Sequence, residues 1–286
     1  MLSRFGASAL LALSIWAAPA ADFAQAKLAY DRTQYDEALR ILGPAKDADG
    51  KSLELKGKAL FMKGDFKRAG EVFEQAVRAE PGNSGFQLWL GRAYGRRAET
   101  SSMFTAPGHA SKARQSFEKA VQLNPKNQDA LNDLFEFYLQ APGFLGGGID
   151  KASALIDRIA SLDPAERHFA EARLAEEKKE WQTAEAQLRR AADLAPQQAG
   201  RLLDLGKFLA RRGKVQESEM AFQRAEKVNP NNPKLWIERA ETYVNGGRNL
   251  PEAKKLLERY LAANSLTPDD RPKEEARKLL ARVNGA

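Results

Sequence analysis

One pattern of small and large apolar residues recurs along the chain. A small residue is followed four positions later by a large apolar residue, three later by another small residue and five later by proline. Offsets of three, four and seven place side chains on one face of a helix, and proline ends the helix because it lacks an amide N–H. The clearest sets are Ala69, Phe73, Ala76 and Pro81; Ala113, Phe117, Ala120 and Pro125; Ala184, Leu188, Ala191 and Pro196; and Ser218, Phe222, Ala225 and Pro230.

A partner helix precedes most of these segments. Leu90, Gly91 and Tyr94 lie upstream of Ala113, and similar residues lie upstream of other sets. Small residues that alternate with large ones let two helices interlock closely, so each pair predicts a helix hairpin. A single hairpin cannot bury its own apolar face, and the pattern therefore indicates a stack of hairpins.

These hairpins resemble the tetratricopeptide repeat. The family's order of Leu-Gly, Tyr, Ala, Phe, Ala and Pro is matched residue by residue from Phe86 to Pro125, apart from an insertion. Successive units are 31, 44, 39, 32, 34 and 35 residues apart, against a family period of about 34. The seven units are counted by the small residue of their second helix, at Ala38, Ala69, Ala113, Ala152, Ala184, Ser218 and Ala253.

The resemblance implies an all-α fold, a right-handed superhelical solenoid of antiparallel helix hairpins over residues 21–265. The chain after the last hairpin, residues 266–286, is typical of a C-terminal capping helix that closes the open end of such a stack. Its otherwise charged helix carries one apolar stripe, at Ala276, Leu279, Leu280 and Val283.

Residues 1–20 have the layout of a secretory signal peptide. Arg4 precedes an apolar run from Ala7 to Ala20, and Ala18 and Ala20 are small residues suited to cleavage after Ala20. The run has 14 residues, fewer than the roughly 20 that span a bilayer, and an uncleaved anchor is the alternative. We expect an exported protein in the periplasm of a Gram-negative bacterium, without a transmembrane segment in the mature chain. The absence of cysteine excludes a lipoprotein anchor, a disulfide framework and a thiol nucleophile.

The charge balance of the chain is basic. There are 45 Lys and Arg against 38 Asp and Glu, a formal net charge of +7. A basic surface favours acidic proteins, anionic envelope polymers or membrane surfaces as partners. Nucleic acid is not expected, because basic residues are scattered among acidic ones in pairs such as Arg96-Arg97. Solvated helix faces are the alternative explanation for these pairs.

The residue patterns of catalytic and cofactor sites do not occur. His109 and His168 lie in different units with no third ligand at metal spacing, and no Gly-x-Ser-x-Gly motif is present. The glycine-rich stretch APGFLGGGIDKA, residues 141–152, fails as a phosphate loop because Ile149 and Asp150 stand where Lys and Ser or Thr belong. We therefore expect a protein that is not an enzyme and that needs no cofactor or metal.

The resemblance also implies where a partner would bind. In the tetratricopeptide family the first helix of each unit lines the concave side of the superhelix. Most residues at these positions are basic, so we expect an acidic or extended segment of a partner protein, with ordinary surface charge as the alternative. The predicted groove residues are Lys58, Trp89, Arg92, Arg96, Asn132, Glu136, Phe169, Arg173, Lys207 and Arg211.

Two units are longer than the others between their helices, which predicts inserted loops near residues 95–111 and 140–149. Both insertions contain the tripeptide Ala-Pro-Gly and an aromatic residue. Equivalent loops of neighbouring units align on one edge of a stack, so we expect these insertions to lie together and to offer Phe104, Phe144 and Leu145 to a partner. Packing between adjacent hairpins is the alternative role.

Two functions are consistent with these features. One is a non-enzymatic adaptor of the cell envelope that binds partner segments in its concave groove, at the edge with the inserted loops, or at both. The other is a charge-driven holder of an anionic polymer or membrane surface, or a chaperone-like assembly factor. Rising salt weakens charge-driven binding steeply and weakens the binding of apolar side chains much less.

Two substitutions test the assigned register. Ala184→Leu forces extra volume between tightly packed helices and should lower the free energy of unfolding by about 1–3 kcal/mol. Phe117→Ala leaves a cavity and should lower it by about 3–5 kcal/mol. Denaturant unfolding measures both changes, and wild-type stability of both variants would contradict the register.

Overall fold

The computed structural model describes residues 19–43, 49–264, 266–267 and 270–285, and every regular element in these ranges is helical. This confirms the all-α prediction, while residues 1–18 of the expected signal peptide lie outside the described residues. A short 3₁₀ helix spans Gly143–Leu145. The α-helices are α1 (Pro19–Asp31), α2 (Tyr35–Leu42), α3 (Gly50–Met62), α4 (Phe66–Ala79), α5 (Ser84–Thr100), α6 (Ala106–Leu123), α7 (Gln128–Gln140), α8 (Ile149–Ser153), α9 (Ile156–Leu162), α10 (Pro164–Glu177), α11 (Trp181–Leu194), α12 (Ala199–Arg211), α13 (Val215–Val228), α14 (Pro233–Asn245), α15 (Leu250–Ala262) and α16 (Lys273–Asn284).

Successive helices of the described chain pair as seven hairpins, which are numbered units 1 to 7. Units 1 to 3 are α1–α2, α3–α4 and α5–α6, and unit 4 consists of α7 with α8 and α9. Units 5 to 7 are α10–α11, α12–α13 and α14–α15. Each hairpin contacts the next one along the chain, which makes the arrangement a helical solenoid.

Several hairpins reverse direction through one residue with a left-handed backbone. Gly64 in unit 2 and Gly213 in unit 6 have φ values of +79° and +75°, which glycine adopts without a steric penalty. In unit 2 the next residue, Asp65, donates its amide to the carbonyl of Leu60 at 3.0 Å. Such turns produce short connections between antiparallel helices.

The segment Pro-x-Asn ends one unit and starts the next at three places in the chain. Asn83, Asn127 and Asn232 each stand two residues after a helix-ending proline. Their side-chain oxygens accept hydrogen bonds from backbone amides in the first turns of α5, α7 and α14. Each cap satisfies a donor that the helix itself leaves free.

In units 2, 3 and 6 the two helices meet where an aromatic ring of the second helix packs against a glycine of the first. Any residue larger than glycine at that position would push the helices apart. In three units a Cβ added to the glycine would lie 2.5 to 2.7 Å from the ring, and these units pair Gly57 with Phe73, Gly91 with Phe117 and Gly206 with Phe222.

The hydrophobic core joins the two ends of the stack. One cluster of buried apolar residues has members in α1 to α10 and again in α14 to α16, while residues of units 5 and 6 form most of a second cluster. The C-terminal helix α16 packs against α14 and α15. Its predicted apolar stripe faces the core, because Ala276 and Leu279 are buried, and Leu280 and Val283 pack partly buried against the same cluster.

The first insertion differs from the expected loop near residues 95–111. The helices α5 and α6 have 17 and 18 residues, against 13 or 14 in units 2, 5 and 6. Only residues 101–105 connect them. The Ala-Pro-Gly tripeptide is helical, because Pro107 lies in the first turn of α6, where its missing amide has no helical acceptor to lose.

The second insertion is a loop with a break in the helix that follows. Residues 141–148 contain the 3₁₀ helix, and the second helix of unit 4 is divided into α8 and α9. The buried Ala152 and Ile159 of these two short helices remain in the main hydrophobic cluster. The break therefore changes the path of the helix and leaves its packing face in place.

Gly91→Ala and Gly95→Ala, both in α5, form a matched pair that tests the glycine–ring contact. Gly91→Ala should lower the free energy of unfolding by about 1–3 kcal/mol, because its methyl group would overlap the ring of Phe117. Gly95→Ala should raise it by about 0.5–1 kcal/mol, because a Cβ there meets no atom within 4 Å and alanine favours the helix. Urea unfolding measures both, and equal effects would contradict the contact.

Candidate functional site

Ion pairs connect the first helices of neighbouring units, and the face of these helices that carries the pairs is named the inner face. Arg92 of α5 donates to Asp133 of α7 at 2.6 Å. Glu136 of α7 accepts two hydrogen bonds from Arg173 of α10, at 3.0 and 3.1 Å. The series continues with Arg201–Glu166, Arg211–Glu176 and Lys207–Glu238, and Arg271, which lies just before α16, pairs with Glu241 of α14.

The structure places most of the predicted groove residues on this face. Lys58 pairs with Glu54 of its own helix at 2.6 Å. Asn132 is half-buried on α7, and Phe169 is half-buried with the guanidinium of Arg201 4.8 Å from its ring centre. The predicted groove residues that form ion pairs between units are Arg92, Glu136, Arg173, Lys207 and Arg211.

Trp89 is buried, in contrast to its expected place in a partner-binding groove. Only 7% of the residue is exposed, and its ring centre lies 5.6 Å from that of Phe61 and 5.9 Å from that of Phe73. Lys58 and Arg92 lie over the indole at 5.1 and 4.7 Å from its centre. Trp89 therefore stabilises the contact between units 2 and 3.

Arg96 links the inner face to the C-terminal helix. Its guanidinium donates to Glu99 of α5 and to Glu275 of α16, both at 2.5 Å, and lies 5.1 Å from the ring centre of Phe66. Glu275 also accepts a hydrogen bond from Arg271 at 2.7 Å. Arg96 and Glu275 are 179 positions apart, so the superhelix brings unit 3 and α16 together.

Carboxylates outnumber cations in these ion pairs. Eight cations pair with eleven carboxylates. Burial raises the pKa of the Asp204 carboxyl. If Asp204 is left out of the count, the carboxylates of these ion pairs still outnumber the cations. Each predicted groove cation is already paired within the chain, and the expected acidic partner segment stays a prediction. The eight cations of these ion pairs are the predicted Lys58, Arg92, Arg96, Arg173, Lys207 and Arg211, together with Arg201 and Arg271.

A cavity of about 620 Å³, named the edge pocket, opens between α5, α6 and α7 beside the two insertions. Both insertions border it, in line with the expectation that they lie together. The first contributes Met103, Ala106 and Pro107, and the second contributes Ala141, Pro142 and Leu145. The charged lining residues are Arg92, Arg96, Glu99, Asp133 and Glu136, and the aromatic ones are Phe61, Phe117 and Phe137.

Large apolar side chains of the insertions are exposed next to the edge pocket. Phe104 and Phe144 are 89% and 83% exposed, and Met103 is 80% exposed. Leu145, by contrast, is half-buried and lines the pocket. Contiguous exposed apolar patches mark interaction surfaces in many proteins. The three predicted loop residues are therefore brought to one edge of the stack.

The three consecutive glycines, residues 146–148, form a tight turn. A Cβ at Gly147 would lie 1.8 Å from the carbonyl oxygen of Ala141, so only glycine fits there. Gly148 donates its amide to the carbonyl oxygen of Tyr138 at 2.7 Å. The amides of Gly147 and Gly148 are bonded to the chain's own carbonyls, and this stretch is a packed turn that carries Leu145 to the pocket.

The histidines lie apart within the described residues. His109 is on α6, stacked on Tyr94 at 5.8 Å between ring centres, and burial lowers the pKa of its imidazole. The Nδ1 of His168 lies 2.6 Å from the Oε1 of Gln187. The described part of the chain holds no group of three His, Cys, Asp or Glu suited to a metal ion. None of its helices has the length and apolar character needed to cross a membrane.

The tetratricopeptide repeat model matches residues 23–84, 54–97, 169–233 and 203–265, which together cover more than half of the chain. The chain therefore belongs to the tetratricopeptide repeat family, and that family in general provides scaffolds for protein–protein interaction. The matches leave out residues 98–168, which hold most of the lining of the edge pocket.

Solved structures agree with this fold. A tetratricopeptide repeat protein from Parabacteroides merdae is similar over 93% of this chain and 98% of its own, with a TM-score of 0.57 and 14% identity. A thermophilic tetratricopeptide repeat protein from Thermus thermophilus is similar over 67% of this chain and 99% of its own, with a TM-score of 0.54 and 21% identity. No curated protein matches the sequence.

Sequence reasoning missed the small residues that leave room for the edge pocket. Gly95 and Ala98 of α5 and Ala106 and Ala110 of α6 all line the cavity. A signal was present, because Gly95 and Ala98 lie four and seven positions after Gly91. That spacing continues the small face of α5 for another turn.

Glu275→Gln should loosen the contact between α16 and α5, because a neutral amide binds the Arg96 guanidinium more weakly than a carboxylate does. We expect amide hydrogen exchange in α16 to become about two- to fivefold faster, while α10 to α13 exchange at wild-type rates. Glu274→Gln is the matched control, because Glu274 pairs with Arg277 within α16. The same exchange rates in both variants would contradict closure through Arg96.

Proposed function

We propose that the protein is an exported scaffold of the cell envelope that holds an apolar side chain of a partner protein in the edge pocket. The observation that carries this proposal is the largely apolar cavity bordered by both insertions. It lies where the chain departs from the regular repeat pattern, and such departures in repeat proteins often serve binding.

The size and lining of the edge pocket suit a protein segment. A volume of about 620 Å³ falls within the roughly 300–1,000 Å³ of typical ligand sites. Apolar anchors that fill such pockets supply much of the binding energy at protein interfaces. Phe104 and Phe144 add exposed apolar surface next to the pocket, so an extended segment could contact them on either side of its anchor.

Export to the periplasm is supported by residues 1–20, with Arg4, the apolar run and the small residues at the expected cleavage site. An exported scaffold would meet partners of the envelope, and the proposal therefore places the partner there. The absence of cysteine is compatible with an oxidising compartment.

A charge-driven holder of an anionic polymer or membrane surface is the second candidate. The ion pairs of the inner face contain more carboxylates than cations, so the net charge of +7 comes from the rest of the chain. That distribution favours attraction of anions to the outside of the superhelix. This binding would not use the edge pocket, and it would weaken steeply with salt.

Gly95 lines the edge pocket, and a Cβ at this position meets no atom within 4 Å. The side chain of a Gly95→Leu variant should therefore extend into the cavity and block it. Gly200→Leu in α12 is the control, since its Cβ is also unobstructed and the residue lies outside the pocket. A photo-reactive phenylalanine analogue at position 144 reports the partner by crosslinking in intact cells. We expect Gly95→Leu to reduce the crosslinked product by about tenfold or more, and Gly200→Leu to leave it unchanged.

Equal crosslinking in the two variants would contradict binding through the edge pocket. Mass spectrometry of the crosslinked product from the envelope fraction identifies the partner and tests the proposed location. Crosslinking that is insensitive to Gly95→Leu but lost at high salt in opened cells would favour the charge-driven holder.

A further inference from the structure

Carboxylates are in excess where the inner face borders the edge pocket. Three arginines are each shared by two carboxylates. Arg92 lies between Asp129 and Asp133, Arg96 between Glu99 and Glu275, and Arg173 between Glu136 and Glu176. Glu176 and Glu275 have a second cation, in Arg211 and Arg271. These pairs therefore hold six carboxylates against five cations next to the pocket, although the whole chain has a net charge of +7.

The spacing of these residues follows directly from the helices that carry them. Asp129, Asp133 and Glu136 stand at positions i, i+4 and i+7 of α7, and Arg92, Arg96 and Glu99 do so in α5. Residues at these offsets share one helix face. One acidic face of α7 thus lies opposite a face of α5 that ends in a carboxylate.

Two of these carboxylates are available to a partner. The side chains of Glu99 and Asp129 are 60% and 64% exposed. Glu99 binds Arg96 through one oxygen, and the shortest distance from Asp129 to Arg92 is 3.7 Å, longer than a hydrogen bond. An ionised carboxylate accepts several hydrogen bonds, so both can bind an incoming cation while the existing pairs remain.

These two carboxylates flank the apolar cavity. Glu99 lines the edge pocket itself, and Asp129 lies one helical turn before Asp133, which also lines it. Glu99 is seven residues after Arg92, or about 10 Å along the axis of α5. In an extended partner segment, cationic side chains two residues before and two residues after an apolar anchor are about 13 Å apart. This distance is slightly longer than the separation of about 10 Å between Arg92 and Glu99, and the length of a lysine side chain can absorb the mismatch.

We infer that the edge pocket and its acidic border take a partner segment in which an apolar anchor is flanked by lysine or arginine. This inference rests on the proposed function, which supplies the anchor, and it adds the charge of the partner. Opposite charge steers association and sets specificity at an interface. The acidic partner expected from the sequence would face Glu99 and Asp129 with its own carboxylates, and like charges repel.

Three fluorescein-labelled nonapeptides test the inference by fluorescence anisotropy. The first carries phenylalanine with lysines two residues before and after it, in a Gly and Ser background. The second replaces both lysines by glutamate, and the third replaces phenylalanine by alanine. We expect the first peptide to bind about tenfold or more tightly than either of the others at low salt.

The double variant Glu99→Gln with Asp129→Asn removes the two exposed carboxylates. We expect it to bind the lysine–phenylalanine peptide about tenfold more weakly than wild type and to lose the preference over the glutamate peptide. Glu71→Gln with Glu258→Gln is the matched control, because both residues are exposed carboxylates on second helices, outside the pocket. Circular dichroism melts establish that both double variants are folded.

The outcomes separate this inference from the proposed function. Equal or tighter binding of the glutamate peptide, or wild-type binding by the Glu99 and Asp129 variant, would overturn the inference about charge. Equal binding of the phenylalanine and alanine peptides, unchanged by Gly95→Leu, would overturn the anchor and with it the proposed function. No binding of any peptide at millimolar concentration would overturn both.

Discussion

In three hairpins of this protein, the close contact between a glycine of the first helix and an aromatic ring of the second determines how the two helices pack. Gly91 and Phe117 approach so closely that a Cβ has no room, and units 2 and 6 repeat the arrangement. A hairpin packed in this way buries only one side of each helix, so the next hairpin has to cover the rest. The solenoid, its inner face and its edges all follow from that requirement.

Stacking also explains why charged residues that the sequence suggests for partner binding form ion pairs with one another. It places Glu136 opposite Arg173 and Arg92 opposite Asp133, although these partners are 37 and 41 positions apart. A charge that is half-buried between helices needs a partner to offset its lost hydration. Alignment of the units by position predicted which residues the first helices carry. It could not find their partners, because the separation varies with the length of each unit.

The hairpins and their register could be predicted because they depend on local spacing and on helix-ending prolines. The first insertion could not, since Ala-Pro-Gly has the composition of a turn, while Pro107 in this chain lies in the first turn of α6. The added turns of α5 and α6 create walls of the edge pocket, and their signal in the sequence is limited to small residues such as Gly95 and Ala98. The burial of Trp89 could not be predicted from local sequence either, because it depends on Phe61 and Phe73 of the preceding unit.

Closure of the superhelix constrains how a partner can reach the inner face. Glu275 of α16 holds Arg96, which lines the edge pocket, and the first and last units share one hydrophobic cluster. A segment that ran along the whole inner face would have to displace this contact and the ion pairs between first helices. A segment that enters between the two insertions meets Phe104 and Phe144 first and leaves the stack intact. Any coupling between a bound partner and the C-terminal helix would then pass through Arg96, the residue that contacts both.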